Sequence, residues 1–292
     1  MKRIAAVLFL LTLSFAAAAQ TNEAQALYKQ GREAYTRGEP EKAVESFEKL
    51  VALQPNNAQY HYELATFYVQ AGMRAGMLGS MSMVKSMKSE LEKAIQLDPK
   101  LVPARFALME FHLSAPGFVG ASEEAAQAQA NAIRKLDPIE GHRAFARIQT
   151  AAKKPDLARK EYLDMLKEQP SSARAHYHYG VFLMLTDKNY KAAGDEFEAA
   201  VKLDPAYMPA YFQIGHVAAL SANNLARGEE TLKKYLAYQP KEDEPSAARA
   251  YYWLGGIYEK QGKKDQAKST YGASLKINPN QKDVETAMKR VS

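Results

Sequence analysis

The chain has 292 residues, no cysteine and a formal charge of +6, from 39 basic and 33 acidic residues. The absence of cysteine excludes a disulfide framework, a thiol nucleophile and cysteine-bound zinc or iron–sulfur sites. Charges of both signs alternate without long blocks, which indicates solvated helix faces and not a nucleic-acid footprint.

The N-terminus has the pattern of an export signal. Lys2 and Arg3 precede an apolar run over residues 4–15, and small residues follow over 16–19. The run is shorter than the roughly 20 residues that a membrane-spanning helix needs. We therefore expect residues 1–19 to be a cleaved signal peptide, and the mature protein to be periplasmic or secreted. A buried N-terminal helix is the alternative, and no later stretch is long and apolar enough to span a membrane.

A proline closes a short, mostly apolar segment seven times along the rest of the chain. The prolines are spaced by 32 to 44 residues and are Pro55, Pro99, Pro138, Pro170, Pro205, Pro240 and Pro279. Proline cannot continue a helix, and it biases the preceding residue toward an extended conformation. Each proline therefore marks the end of a helical unit, and the period predicts a repeat architecture.

Small and large apolar residues recur at fixed places before these prolines. In the first unit they are Leu27, Gly31, Ala43 and Phe47; in the last they are Tyr251, Leu254, Gly255, Tyr258, Gly262, Ala267 and Tyr271. Small residues let two antiparallel helices approach closely, and large aromatic residues fill the space between neighbouring hairpins. Over roughly residues 24–279 this pattern resembles the tetratricopeptide repeat (TPR).

The resemblance implies an all-α fold, a right-handed superhelical solenoid of about seven TPR helical hairpins with a C-terminal capping helix. Residues 20–292 would form one solenoid domain. The expected repeats are about 24–57, 58–101, 102–138, 139–172, 173–207, 208–247 and 248–281, with the capping helix at about 281–291.

Two units are longer than the repeat. The second carries about ten extra residues around 71–86, a stretch rich in glycine whose methionines are Met73, Met77, Met81, Met83 and Met87. We expect these methionines to form an adaptable apolar plug; a methionine surface for a partner, or thioether ligands for Cu(I), are the alternatives. The third unit has about five extra residues around 115–120, which predict a longer loop.

In TPR stacks the fifth and ninth places of each repeat point into a concave groove. The resulting candidate ligand-groove residues are Tyr28, Arg32, Tyr62, Phe106, Glu110, Arg143, Arg147, Tyr177, Phe212, His216 and Tyr252. Six of the seven fifth-place residues are aromatic, which suits peptide or sugar binding, although tyrosine is common at this place in TPRs generally. Arg143 and Arg147 are four residues apart, a spacing that suits capture of a carboxylate, and we expect Arg174 near them. The lysine and asparagine set of the chaperone-tail clamp is missing.

The sequence contains no phosphate loop, no Gly-x-Ser-x-Gly and no HExxH motif. We therefore predict no enzyme activity, no cofactor and no metal site; a catalytic or metal-handling role would rest only on the histidines and methionines. The leading hypothesis is a non-catalytic protein–protein interaction scaffold of the bacterial cell envelope, holding a protein or peptide segment in the groove. A carbohydrate or cell-wall glycan binder using the same aromatic stripe is the alternative.

Overall fold

A computed structural model describes residues 20–241 and 244–292, and the predicted signal peptide lies outside these residues. The helices are α1 (20–36), α2 (Pro40–Leu53), α3 (Ala58–Gly72), α4 (Met77–Leu97), α5 (Val102–Ser114), α6 (Glu123–Leu136), α7 (Pro138–Ala151), α8 (Pro155–Glu168), α9 (Ala173–Leu185), α10 (Tyr190–Leu203), α11 (Met208–Ser221), α12 (Leu225–Leu236), α13 (Ala247–Lys260), α14 (Lys264–Ile277) and α15 (Lys282–Val291). A 3₁₀ turn spans Gly117–Val119. The described residues contain no strand, and no described helix is both long and apolar enough to cross a membrane.

Consecutive helices pair as seven hairpins, from α1–α2 to α13–α14, and α15 packs on the last of them. The hairpins form two compact units: unit 1 ends at Leu136 and holds the first three, and unit 2 (Asp137–Ser292) holds the other four and α15. The predicted fold class, an all-α array of about seven hairpins with a final helix, is confirmed.

Local sequence signals fix where the helices begin. The Asn57 side chain accepts hydrogen bonds from two backbone amides at the start of α3, and Asp137 does the same for α7. Ser172 caps α9 in a similar way. Proline occupies the first turn of α2, α5, α7, α8 and α11, where its missing N–H is not needed.

The prolines that end the repeats are held by side chains of the next first helix. His61 Nε2 lies 3.0 Å from the carbonyl oxygen of Pro55, and His176 Nε2 lies 3.1 Å from that of Pro170. The other ring nitrogen of His61 lies 2.5 Å from a Glu90 carboxylate oxygen. These histidines therefore tie each hairpin to the turn before it, which is a structural role.

Within most hairpins a glycine of the first helix faces a large side chain of the second. Gly31 packs on the Phe47 ring, Gly180 on Phe197 and Gly255 on Tyr271. The third hairpin reverses these sizes. Met109 stands at the place of the glycine and Ala130 at that of the ring, and both are fully buried. The two helices still pack closely, because the summed side-chain volume of Met109 and Ala130 is similar to that of a glycine and a large ring.

The final helix covers the apolar end of unit 2. Val284, Ala287 and Val291 on α15 are buried in the same cluster as Ala250 and Tyr271. A terminal helix with one apolar stripe gives the last hairpin the polar outer surface that repeat ends require.

Replacing Gly255 by alanine should destabilise the C-terminal hairpin. The added Cβ would lie 2.5 Å from Tyr271 Cε1, whereas at Gly256 the nearest side-chain atom, Tyr271 Oη, would be 3.8 Å away. Both changes bring the same gain in helix propensity, so Gly256→Ala is a matched control. We expect Gly255→Ala to be less stable than the control by about 1–3 kcal/mol in urea denaturation. Equal stabilities of the two variants would show that Gly255 does not occupy the close-contact place of its repeat.

Candidate ligand-binding face

In unit 2 the first helix of each hairpin belongs to an inner layer, which consists of α7, α9, α11 and α13. Helix α11 packs on α13 and contacts α9, and α9 contacts α7, whereas no comparable packing joins the successive second helices α8, α10, α12 and α14. An array of hairpins curves toward the side on which its helices are closer together. The exposed side of α7, α9, α11 and α13 is therefore the concave side of this unit.

A set of polar and aromatic side chains, here termed the inner-face cluster, lies on these four helices. Its members are Glu140, Arg143, Arg147, Arg174, Tyr177, His178, Gln213, His216, Arg249, Tyr252 and Trp253. Direct contacts link the cluster from one first helix to the next.

At the α7–α9 end the cluster is charged. Arg143 donates a hydrogen bond to Glu140, and His178 Nε2 lies 3.5 Å from the same carboxylate. Arg174 Nη2 donates to both carboxylate oxygens of Asp137, at 2.6 and 2.7 Å. Because Asp137 also caps α7, its carboxylate is held by the backbone as well as by the guanidinium.

The pKa values of this group are set by burial and by hydrogen bonds. Burial by itself would raise the pKa of Glu140, but the hydrogen bond from His178 and the charge of Arg143 lower it to about 2. Burial lowers the pKa of His178 to about 4 despite the nearby carboxylate. At neutral pH the face therefore presents an ionised carboxylate and a neutral imidazole.

Polar and ring contacts continue across α9, α11 and α13. Gln213 Nε2 donates to the Tyr177 hydroxyl at 3.5 Å, and Gln213 Oε1 lies 3.1 Å from His216 Nδ1. The imidazole of His216 stacks on the Trp253 ring, with centroids 4.0 Å apart and planes 27° from parallel. Burial lowers the pKa of His216 to about 4, so this ring is neutral too.

Arg249 and two aromatic rings form the far end of the cluster. The guanidinium lies 4.6 Å from the centroid of Tyr252 and 5.4 Å from that of Trp253. Its Nη1 also contacts Asp283 of α15 at 2.5 Å. Beside these rings is a cavity of about 420 Å³, which also borders Arg290.

Four of the six candidate groove residues in unit 2 lie in this chain of contacts, namely Arg143, Tyr177, His216 and Tyr252. Arg147 is one turn along α7 from Arg143 and is half-buried.

The prediction that Phe212 lines the groove is wrong, since this side chain is 5% exposed and belongs to the apolar core. Its ring packs on Tyr235 with centroids 5.4 Å apart. Helix α11 is enclosed by neighbouring helices over most of its surface, so its fifth-place ring turns inward. The Tyr177 ring also packs on the start of the next hairpin, since it contacts the Tyr207 ring edge-on with centroids 5.4 Å apart.

In unit 1 the candidate residues are more dispersed. The Tyr28 ring lies 5.8 Å from that of Tyr60, and Arg32 Nη1 lies 3.4 Å from a carboxylate oxygen of Glu63. The others, all half-buried, are Tyr62, Phe106 and Glu110. Of these, Glu110 lines an apolar cavity.

Sequence reasoning missed five members of the cluster, namely Glu140, His178, Gln213, Arg249 and Trp253. These residues occupy the second and sixth places of their repeats. Places 2, 5, 6 and 9 are three, four and seven residues apart, which puts them on one helix face. Reading all four places would have found them.

The arrangement is suited to binding. Among the described residues no group of three or more histidine, aspartate or glutamate side chains could hold a metal ion. The face offers guanidinium, amide and imidazole groups at intervals set by the helix spacing. Such groups are able to form hydrogen bonds along an extended segment.

The buried neutral His178 predicts a loss of stability in acid. Its pKa falls from 6.5 to about 4 on folding, so between these values the unfolded chain binds a proton that the folded ring does not. Stability is therefore lost as the pH falls from 6.5 toward 4. We expect His178→Gln, which keeps a donor near Glu140, to reduce the loss between pH 7 and pH 5 by about 1–2 kcal/mol in urea denaturation. An unchanged loss would contradict the buried neutral ring.

Comparison with known proteins supports the repeat. Sequence profiles of the tetratricopeptide repeat match residues 28–72, 143–207 and 248–281. No curated protein sequence matches the chain.

Solved structures share the fold at low sequence identity. A tetratricopeptide repeat protein from Parabacteroides merdae aligns with a TM-score of 0.50 and 15% identity, over 92% of this chain and 99% of that one. The APC/C hetero-tetramer Cut9–Hcn1 gives 0.51 and 14%, over 89% of this chain and 48% of that one. A monomeric mutant of IFIT1 with Gppp-AAAA gives 0.53 and 19%, over 87% and 58%. This chain thus spans only about half of the last two.

These likenesses show the fold alone. The profile matches, with the seven hairpins and the small residues that meet large rings within them, show that the chain belongs to the tetratricopeptide repeat family.

Proposed function

We propose that the protein is a non-catalytic scaffold that holds a segment of another protein along the inner face of unit 2. Tetratricopeptide repeats are protein-interaction modules. The observation that carries the proposal is the inner-face cluster, whose contacts link four successive first helices through Glu140, His178, Tyr177, Gln213, His216 and Trp253. A face of this length fits an extended segment better than a compact ligand.

The charges favour a segment that carries a carboxylate. Arg174 and Arg249 pair with Asp137 and Asp283, yet their side chains are 40% and 39% exposed. Their outward N–H groups remain able to bind an acidic side chain or a chain terminus. The two buried histidines add no charge at neutral pH, because burial keeps them unprotonated.

The stacking within the cluster favours a peptide over a glycan. Sugars bind to open aromatic faces, but one face of Trp253 is covered by the imidazole of His216 at 4.0 Å. The Tyr252 ring is likewise covered by the Arg249 guanidinium at 4.6 Å. The cluster presents ring edges and polar groups. These suit the backbone and side chains of a polypeptide better than the face of a sugar ring.

We further propose that the protein acts in the bacterial cell envelope, because residues 1–19 have the pattern of an export signal. Mass spectrometry of the protein from an envelope fraction should find an N-terminus within a few residues of Gln20. Intact Met1 on most molecules would contradict export by a cleaved signal.

The binding proposal is tested with a partner recovered from an envelope extract and identified by mass spectrometry. We expect Trp253→Ala to weaken its binding at least tenfold, since aromatic anchors often contribute 2 kcal/mol or more. Arg174→Gln should weaken binding less, and should reduce its sensitivity to salt. Asp137 remains satisfied in that variant because it caps α7.

Tyr190→Ala, on the second helix α10, is the matched aromatic control and should bind like the wild type. Circular dichroism verifies that each variant is folded. Equal binding by all three variants would exclude the inner face as the site. Binding of purified cell-wall glycan that is lost in Trp253→Ala would instead support the glycan alternative.

A further inference from the structure

The two insertions into the repeat lie together in unit 1. The first lengthens α4 to 21 residues, against 15 in its partner α3. The second forms the loop that contains the 3₁₀ turn Gly117–Val119. Both segments line one cavity of about 680 Å³, together with the inner sides of α3 and α5. A regular repeat has no counterpart of these walls, so the insertions create the cavity.

The walls of this cavity, here termed the insertion pocket, are strongly apolar. Val69, Met83, Met87 and Phe111 lie along it, and Phe118 comes from the inserted loop. Met83 and Met87 also pack on the adjoining cores, as the plug interpretation expects.

The rim of the pocket carries apolar residues in solvent. Met73 and Phe118 are each 77% exposed, the largest exposure among the large apolar side chains described. Exposed apolar side chains that continue an apolar cavity to the surface are a feature of binding sites.

The few polar groups of the pocket are already engaged. Thr66 donates its hydroxyl proton to the Glu63 carbonyl and Ser114 donates its proton to the Glu110 carbonyl, each at 2.7 Å. Glu110 is the one acidic side chain among the described lining residues. A peptide backbone placed inside would bury amide groups with few partners, which is unfavourable. A chain without hydrogen-bonding groups has no such cost.

We propose that the insertion pocket binds a hydrocarbon chain of the fatty-acyl type, attached to an uncharged head group. The volume lies within the roughly 300–1,000 Å³ of small-molecule pockets, which are mostly apolar with a few polar groups. Flexible thioether side chains adapt to a chain of variable shape. An anionic head group is disfavoured because the acid in the lining, Glu110, has the same sign of charge.

The experiment titrates the protein with straight-chain primary alcohols of increasing length by isothermal titration calorimetry. Each added methylene that enters the pocket should tighten binding about threefold to fourfold, with a stoichiometry of one. The carboxylate of equal chain length should bind more weakly than the alcohol. Affinity that is independent of length, or tighter binding of the carboxylate, would overturn the proposal.

Variants locate the binding. Ala107→Phe places a ring in the pocket and should lower the affinity at least tenfold. If that variant fails to fold, Met73→Ser with Phe118→Ser carries the test, because both side chains are exposed. Leu157→Ser with Leu163→Ser is the control, since these residues of α8 are exposed apolar residues in unit 2. Unchanged affinity in the rim variant would overturn the proposal, as would an apolar helical peptide that binds here when the alcohols do not.

Discussion

The close approach of the two helices in each hairpin is the constraint on which the rest of the structure depends. It requires a small residue on one helix opposite a large side chain on the other, as with Gly180 against Phe197 and Gly255 against Tyr271. Once that contact is made, the rotation of both helices about their axes is fixed. The face that each first helix turns away from its partner is then fixed as well, and this determines which side chains form the proposed ligand-binding surface.

Much of the fold could be predicted because its determinants are local. Prolines end the second helices, capping side chains such as Asn57 begin the first ones, and the small residues set the phase. The inner face was predicted only in part. Places 5 and 9 gave Arg143, Tyr177 and His216 but not Trp253, because a helix face of this width includes places 2 and 6 too.

Other features depend on packing that one repeat does not encode. Phe212 has the same place in its repeat as Tyr177, yet it is buried because α11 is enclosed by its neighbours. The insertion pocket is a similar case, since two insertions in different repeats approach each other only when the hairpins stack. Sequence patterns within one repeat could not show that both insertions line the same cavity.

The insertions leave the cores intact because they lie at the ends of helices. Leu91 and Ala94, on the regular part of α4, remain buried with Ala104 and Leu108 of the next hairpin. The added turns of α4 therefore bring a new surface without disturbing the packing beneath. Unit 1 and unit 2 thus carry different surfaces on the same kind of hairpin, one apolar and one polar.

Site-specific photo-crosslinking tests the central claim, that partners bind the inner face of unit 2, most directly. A photoreactive side chain can be placed at Gly256 of α13, since an added Cβ would make only an ordinary contact, with the Tyr271 hydroxyl at 3.8 Å. The control position is Lys191, an exposed residue of α10. The account predicts crosslinks to the partner from position 256 and none from position 191. Crosslinks from position 191 alone would contradict it.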